Sequence, residues 1–268
     1  MTPPSRKTLA EHLEYVEKMS RLSFFFARKL KDKNPETPVG ELLRDCTPLF
    51  FHALNYLDYQ TKWNNPNCLR MAHKADELTN LPAAEFEGRM FAEIKDLAME
   101  RAERFYPESV GVKNPPWGDA CRGSLKLDPP DPKAKRAPNR GNFHIANALA
   151  PRSIYGDPRH LPECFMEIMA RGEKEFGFDT LCTGTWLDDT PRWLALFPEE
   201  WIVNLSPRKD AVGWNFGNWG QLVTARGTFN EPAGQYVRET LTLKYKCRSS
   251  HCSFAAMRKH LEALLRRQ

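Results

Sequence analysis

His144 is the residue of this chain best suited to acid–base chemistry, because an imidazole changes charge near neutral pH. It lies in the largely apolar run Phe143–Ala150, and three further polar residues follow it: Asn147, Arg152 and Ser153. We predict that His144 is a general acid or base, that Asn147 orients a substrate and that Arg152 holds an anionic group. Ser153 is a candidate nucleophile, with a turn or cap as its alternative role. A buried structural histidine is the alternative for His144.

Two adjacent carboxylates, Asp188 and Asp189, form a second candidate group. They follow a predicted strand and precede Thr190–Pro191, which has the form of a helix start. Carboxylates complement the dipole at a helix start, and this structural role is sufficient by itself. Strand-to-helix junctions also carry binding groups. The functional alternative is that Asp188 or Asp189 is catalytic and pairs with an imidazole or an amine.

Tryptophans supply a third group. Five of the seven fall within 34 residues, namely Trp186, Trp193, Trp201, Trp214 and Trp219. Such a cluster is either a packed core or the lining of a pocket, because the indole is large and apolar but carries one N–H donor. In the pocket hypothesis, Trp186, Trp214 and Trp219 contact the substrate together with the side-chain amides of Asn218 and Gln221.

Four residues near the C-terminus are of the types that bind zinc: Cys247, His251, Cys252 and His260. Their spacing is not that of a zinc finger, and adjacent side chains such as 251 and 252 usually point in different directions. We therefore favour a surface loop with a buried thiol and predict no metal, with a metal site at these four residues as the alternative. No cofactor is favoured.

Common nucleotide-binding and hydrolase signatures are missing from the sequence. The chain contains no GxxxxGK[ST], GxGxxG, GxSxG, HExxH or CxxC pattern. The seven cysteines are an odd number and are scattered, which is typical of free thiols in a reducing compartment. The first residues lack the apolar core of a secretory signal, and no apolar run approaches the ~18 residues of a membrane span. We predict a soluble, cytoplasmic protein with no membrane partner.

Helical periodicity dominates residues 1–106. A capping box at Thr8 and Glu11 starts a helix that continues to about Lys33. A second helix starts at Thr37–Pro38, continues through Ala53 and Leu57 and should kink at Pro48. Two more helices are predicted over 67–78 and 83–105, so this region reads as all-helical.

The composition changes after residue 106. Residues 107–142 hold seven prolines and four glycines, which is typical of a linker or an extended wrap. Strands are predicted at 124–127, 143–146 and 180–183, and helices at 158–176, 191–205, 218–240 and 253–267. The predicted fold is α+β and predominantly helical, with an all-helical N-terminal half packed on a C-terminal half that has a small sheet and several helices. The α+β region, 143–268, carries the site, and it could form one compact domain with 1–106.

The formal charge of +5 is unevenly distributed. Residues 125–160 carry seven Lys/Arg against three Asp/Glu, and residues 238–268 carry eight against two. Positive surfaces attract anions, either a phosphate or carboxylate group of a substrate or a nucleic-acid backbone. No RNA- or DNA-binding signature accompanies these stretches, so nucleic acid is the less favoured partner.

Together these residues predict an enzyme that acts on a small organic substrate with an anionic group. The chemistry would be acid–base or group transfer, in a tryptophan-lined pocket formed by 143–153, 183–193 and 214–221. Transferase, hydrolase and isomerase reactions remain open. One alternative is a non-catalytic protein that binds a small molecule in the same pocket. The other is an RNA- or tRNA-dependent protein that uses basic stretches 125–160 and 238–268.

Overall fold

The computed structural model describes residues 7–50, 65–109, 121–133 and 137–267. The chain folds into two compact units. The helical unit comprises Lys7–Pro107 and Asp210–Lys244, and the sheet unit includes Glu108–Lys209 and Tyr245–Gln268. Helix predominates and the sheet is small, so the predicted α+β, mostly helical fold class is confirmed.

The helical unit begins with α1 (Leu9–Lys33). Its predicted capping box is confirmed, because the Glu11 amide donates to Thr8 Oγ1 at 3.2 Å and the Thr8 amide donates to Glu11 Oε2 at 2.6 Å. One face of the helix is buried, with Val16, Met19 and Leu22 almost fully excluded from solvent. The apolar stripe therefore both predicts the helix and supplies part of the core.

The described residues of the N-terminal part of this unit form three further helices: α2 (Val39–Cys46), α3 (Pro66–Glu77) and α4 (Ala83–Ser109). The predicted kink at Pro48 is wrong, because α2 ends at Cys46. The residue before a proline is disfavoured in the α-helical region, so the chain leaves the helix at Thr47. The predicted continuation through Ala53 and Leu57 lies outside the described residues.

The returning segment 210–244 belongs to the same unit as these helices rather than to the sheet unit. The single helix predicted over 218–240 is instead α8 (Phe216–Trp219), a 3₁₀ turn (Gly220–Leu222) and α9 (Glu231–Thr240). Gly227 has φ +89° in the intervening turn, a conformation that suits glycine and interrupts a helix. Asn230 then caps α9, so the helix restarts at a new N-terminus.

In the described part of the sheet unit, five strands lie in sequence order: β1 (Cys121–Arg122), β2 (Leu125–Leu127), β3 (Arg140–Ile145), β4 (Thr180–Thr185) and β5 (Arg248–Ser253). Only the β3–β4 pair is parallel. The sequence does not predict strand β5, because the segment RSSHCS is polar and reads as a loop. Its pairing with β4 over six residues is what makes it a strand.

Helices α5 (His160–Arg171) and α10 (Phe254–Arg266) contribute to the apolar core on one side of the sheet. That core holds the inward residues of the strands, Leu127, Phe143 and Leu181 among them, together with Phe165 of α5 and Met257 of α10. Because strand side chains alternate, the residues between these inward positions face the other side of the sheet. We call that side the polar face.

The helix predicted over 191–205 is two short helices, α6 (Pro191–Leu194) and α7 (Glu199–Val203). Pro198 precedes α7 and interrupts the helical pattern, as expected for proline. Both helices place a tryptophan in the core, Trp193 and Trp201, with no exposed surface. None of the helices in the described part of the chain has the length and hydropathy of a transmembrane segment.

Candidate functional site

The polar face carries most of the chemically versatile side chains of the sheet unit. Its members alternate with the buried residues of four strands and are Lys126, Arg140, Asn142, His144, Cys182, Ser249 and His251, with Asp128 directly after β2. Two imidazoles, a thiol, a carboxylate and a guanidinium therefore lie on one surface. That combination allows proton transfer, nucleophilic attack and anion binding.

A hydrogen-bonded acid–imidazole pair lies at the β2 side of this face. His144 Nε2 is 2.8 Å from Asp128 Oδ2, and Asn142 Nδ2 donates to the same oxygen at 2.8 Å. The pairing of β2 with β3 creates this arrangement. His144 is the register partner of Lys126, and Asp128 follows Lys126 by two residues on the same side of the chain. The side chain of His144 is 49% exposed and that of Asp128 is 22% exposed. The imidazole therefore combines a fixed partner with access from solvent.

The electrostatics of the pair keep the acid ionised. Burial alone would raise the pKa of Asp128, but the hydrogen bonds from His144 and Asn142 outweigh burial and lower that pKa. Lys126 Nζ lies 3.8 Å from Asp128 Oδ1 and adds a weaker attraction in the same direction. An ionised carboxylate fixes the orientation of an imidazole that donates to it, as acid–base catalysis requires.

Strand pairing places four of these residues in one row across the sheet. The Asp128 amide donates to the Asn142 carbonyl oxygen at 2.8 Å, Asn142 is the register partner of Cys182, and Cys182 is that of His251. The row therefore reads carboxylate, amide, thiol, imidazole from β2 to β5. Directly opposite residues in a sheet have Cβ atoms about 4.5–5.5 Å apart in antiparallel pairs, close enough for their side chains to interact.

An open cleft of about 330 Å³ lies over the β3–β5 part of the polar face. Its walls are formed by Arg140, Asn142, Cys182, Thr183, Gly184, Asn204, Ser249, Ser250 and His251. Gly184 leaves room at the centre, since a Cβ atom there would meet nothing closer than 3.8 Å. A volume of this size can receive a small organic molecule.

Two basic side chains stand at one end of this cleft. Burial and the nearby charge of Arg140 lower the pKa of His251, while Glu200 acts weakly in the opposite direction. His251 is therefore a neutral proton acceptor at neutral pH. Arg140 forms no ion pair with a carboxylate among the residues that the structure describes. Its guanidinium can accordingly bind an anionic group.

The structure places the predicted residues Asn147, Arg152 and Ser153 in the loop after β3. Asn147 Nδ2 donates to the Arg152 carbonyl oxygen at 2.7 Å, and Asn147 Oδ1 accepts from the Leu149 amide at 3.0 Å. Ser153 Oγ accepts from the Tyr155 amide at 3.2 Å, which is a turn contact. These bonds account for Asn147 and Ser153 as loop-stabilising residues, and the side chain of Arg152 is exposed.

Asp188 lies inside the core of the sheet unit. Its Oδ1 accepts from the indole N–H groups of Trp193 and Trp201, each at 3.0 Å, and the residue has no exposed surface. Burial raises the pKa of Asp188 to about 7, and the two indole hydrogen bonds and Arg248 only partly oppose this. This carboxylate anchors the two indoles and does not adjoin His144, whose acidic neighbour is Asp128.

Asp189 points away from its neighbour and connects two later segments. Its Oδ1 accepts from Arg208 Nε at 2.6 Å, and its Oδ2 accepts from the Lys246 amide at 3.0 Å. The carboxylate is almost buried, with 6% of the side chain exposed. Asp189 therefore holds the chain that leads into β5, which is a positioning role.

The predicted tryptophan pocket is divided between the two units. Trp186 belongs to the sheet unit and stacks on Tyr245, with ring centroids 5.8 Å apart. Trp214 and Trp219 belong to the helical unit, where Trp219 is fully buried and its indole N–H lies within hydrogen-bonding distance of two backbone carbonyl oxygens. Trp193, Trp201 and Trp219 are therefore core residues, the alternative that the sequence left open.

Asn218 and Gln221 are likewise buried in the helical unit, at 7% and 6% exposure. Asn218 Nδ2 donates to Asn215 Oδ1 at 3.1 Å, and Gln221 Nε2 donates to the Asn218 carbonyl oxygen at 3.0 Å. The Gln221 carbonyl oxygen accepts from Asn230 Nδ2 at 3.0 Å. These amide side chains provide hydrogen bonds to backbone groups of an irregular segment. Buried backbone groups outside helices and strands require such partners.

The four zinc-type residues are dispersed by strand geometry. His251 and Cys252 are consecutive in β5 and face opposite sides of the sheet, so Cys252 is buried while His251 lines the cleft. His260 lies on α10, with Nε2 3.2 Å from the Ala195 carbonyl oxygen. Within the described ranges, no three His, Cys, Asp or Glu side chains are grouped so that they could hold a metal ion.

Sequence reasoning missed Asp128, Arg140, Asn142 and Cys182 as site residues. The signal that could have found them is period-two spacing of reactive residues, as in Arg140-x-Asn142-x-His144. Such spacing predicts one common face once the segment is recognised as a strand. Comparison of this chain with protein families, curated proteins and solved structures found no match.

Proposed function

We propose that this protein is an enzyme that acts on a small organic substrate with an anionic group, by acid–base chemistry on the polar face. The observation that carries the proposal is the 2.8 Å contact between His144 and Asp128 beside an open cleft. General acids and bases in enzymes are commonly solvent-accessible imidazoles that are hydrogen-bonded to a carboxylate. The proposed site replaces the tryptophan-lined pocket, because three of the tryptophans are core residues.

In this proposal Asp128 accepts the Nε2–H of His144 and so selects one tautomer. The basic nitrogen is then Nδ1, which removes a proton from the substrate or from a water molecule. The resulting imidazolium is stabilised by the negative charge of Asp128. Asn142 holds the carboxylate in place, since it donates to the same Oδ2 atom.

Arg140 supplies the anion-binding group in the cleft. Arg140 and Asn142 are two residues apart on β3 and both line the cleft, so an anion bound to Arg140 lies on the same face as the acid–base pair. A guanidinium forms strong charge-assisted hydrogen bonds to carboxylate and phosphate groups. The proposed substrate is therefore a small molecule that carries either a carboxylate group or a phosphate monoester group.

A thermal-shift screen tests the binding half of the proposal. Small carboxylates and phosphate monoesters are added to the wild-type protein, to Arg140→Gln and to Arg152→Gln, a control in an exposed loop of the same unit. A ligand at ~100 times its Kd stabilises the folded state by about 2.7 kcal/mol. We expect at least one compound to raise the Tm of the wild type and of Arg152→Gln but not of Arg140→Gln.

Turnover of the bound compounds tests the catalytic half. We expect His144→Gln to lower kcat by about 10²–10⁴-fold, the usual contribution of a general acid or base. Asp128→Asn should lower kcat in the same direction, and His260→Gln should leave it unchanged. Binding without turnover in the wild type would instead identify a non-catalytic binding protein. Salt-dependent RNA binding with no small-molecule shift would favour the RNA-dependent alternative.

A further inference from the structure

We propose that Cys182 is a nucleophile of the polar face and that His251 accepts its proton, so that the cleft transfers an acyl group from an anionic ester through a thioester. This inference rests on the proposed function, since it names the reaction of the same cleft. It also adds two residues, Cys182 and His251, that the acid–base pair of His144 and Asp128 does not require.

Strand register brings the thiol and the imidazole together. Cys182 in β4 and His251 in β5 are direct partners in an antiparallel ladder and are both half-buried members of the cleft wall. Their Cβ atoms are therefore about 4.5–5.5 Å apart on the same side of the sheet. A thiol next to a neutral imidazole can lose its proton and become a thiolate, which is the reactive nucleophile.

The thiol of Cys182 is directed toward β3 in the structure. Cys182 Sγ donates to the Gly141 carbonyl oxygen at 3.6 Å, a long contact to a backbone atom of β3. Sulfur is a weak hydrogen-bond donor, so this contact costs little to break. Rotation about the Cα–Cβ bond of Cys182 then directs Sγ from β3 toward β5, where His251 lies.

Charges around the cleft favour an anionic substrate at this pair. Arg140 faces the cleft from β3, next to the row that holds Cys182, and its charge also acts on His251. Glu200 of α7 acts on His251 with the opposite sign, but both of its carboxylate oxygens accept hydrogen bonds from Ser253. The remaining charged groups of the face, Lys126 and Asp128 on the β2 side, neutralise each other in part.

The reaction balances with water as the only co-reactant. The Cys182 thiol gives its proton to His251, Sγ forms a bond to the ester carbonyl carbon, and the bond from that carbon to the alcohol oxygen breaks. The departing oxygen takes the proton from His251, so the alcohol leaves and a thioester remains. Water then attacks the thioester, His251 removes its proton and returns it to Sγ, and the carboxylic acid is released.

Alkylation of the full chain with iodoacetate and iodoacetamide tests the pair without a known substrate. Each reagent replaces iodide with the sulfur atom, and the two differ mainly in the negative charge of iodoacetate. Peptide mass spectrometry gives the rate at each cysteine. Free cysteine in the same solution is the reference thiol, because burial and the nearby Asp188 raise the pKa of Cys247 to about 11 and make that thiol an unequal comparison.

We expect Cys182 to react about tenfold faster than free cysteine at pH ~7, and His251→Gln to remove this advantage. We expect iodoacetate to be preferred over iodoacetamide at Cys182 by about tenfold, the effect of one charge-assisted hydrogen bond, and Arg140→Gln to remove the preference. On the wild type alone, alkylation of Cys182 should reach half its maximal rate below pH ~8.5, the ordinary pKa of a thiol.

A rate at Cys182 in the wild type no greater than that of free cysteine, or a half-maximal pH at or above that of free cysteine, would overturn the inference. These measurements need no variant and so do not depend on whether His251→Gln folds. The proposed function fails separately. If His144→Gln abolishes turnover of a screened compound while Cys182→Ser does not, acid–base catalysis stands and the thiol pathway is wrong.

Discussion

Two aspartates of the sheet unit have opposite ionisation behaviour. Asp128 and Asp188 each have a carboxylate oxygen with two hydrogen-bond partners nearby, His144 and Asn142 in one case and two indoles in the other. Yet the pKa of Asp128 is lowered, and that of Asp188 is raised to about 7. Two carboxylates with the same number of hydrogen-bond partners can therefore have very different pKa values.

Burial and charge explain the difference. Asp188 has no exposed surface, its Oδ2 has no hydrogen-bond partner among the described residues, and indole N–H groups are neutral donors. Asp128 keeps 22% of its side chain exposed and adjoins an imidazole and an ammonium group. A carboxylate needs solvent or positive charge to remain ionised. On the polar face, Asp128 has both solvent exposure and nearby positive charge. In the tryptophan core, Asp188 has no solvent exposure and only a partial compensation from Arg248.

The largest expected effect is on stability when the buried acid is removed. Asp188→Ala leaves two buried indole N–H groups without an acceptor, at about 1–3 kcal/mol each, and opens a small cavity. We expect a loss of about 4 kcal/mol in the free energy of unfolding at pH 5, measured by urea denaturation. Asp131→Ala, at an exposed turn, should change it by less than ~0.5 kcal/mol. Equal losses in the two variants would contradict the assignment of Asp188 to the core.

We expect the titration of Asp188 to make the free energy of unfolding depend on pH. Its folded-state pKa of about 7 exceeds the ordinary value of 3.8, so the folded chain keeps a proton that the unfolded chain has lost between these values. The associated stability is fully present below pH ~4 and is lost as the pH rises to 7, by up to about 4 kcal/mol.

Asp188→Asn provides the control for this pH effect. The amide retains an oxygen that can accept from both indoles but does not titrate. The free energy of unfolding should therefore be measured for both proteins at pH 4, 5.5 and 7. We expect the wild type to lose stability relative to Asp188→Asn as the pH rises. A difference that is constant with pH would show that Asp188 is not the group that titrates.

A smaller effect is expected when one indole donor is removed. Trp201→Phe deletes the N–H that donates to Asp188 Oδ1 at 3.0 Å and some buried volume. We expect a loss of about 2–3 kcal/mol in the free energy of unfolding, and a higher pH midpoint for the Asp188 titration, because one stabilising hydrogen bond to the carboxylate is gone. Trp186→Phe retains a ring to stack on Tyr245 and should have less effect on both quantities. An unchanged midpoint in Trp201→Phe would contradict the role of the indole.

The smallest stability effect belongs to the polar face. Asp128→Asn weakens exposed hydrogen bonds, so we expect a loss of about 1 kcal/mol or less at pH 7. Because the pKa of Asp128 is lowered in the folded state, its contribution is present above the unfolded value near 4 and is lost as the pH falls through the folded value. The stability advantage of the wild type over the variant should therefore shrink as the pH falls below about 4. A loss as large as that of Asp188→Ala would place Asp128 in the core network instead.

The comparison also shows why sequence reasoning finds one aspartate and misses the other. Asp188 lies in a tryptophan-rich segment that draws attention, but its neighbours in space, Trp193 and Trp201, make it a core residue. Asp128 lies in a proline-rich stretch that reads as a linker, where the pairing of β2 with β3 places it 2.8 Å from His144. His144 is predicted as a candidate because its residue type alone indicates acid–base chemistry.

The sequence by itself determined the helical character of residues 7–50 and 65–109, the capping box of α1, and strands β2, β3 and β4. These features depend on periodicity, capping and residue type, which are local properties of the chain. Only the tertiary structure decided that Asp128 adjoins His144, that Cys182 and His251 are register partners, and that Trp193, Trp201 and Trp219 are core residues. Those contacts join separate strands and helices, and the pairing register and burial that create them are set by the packing of the whole unit.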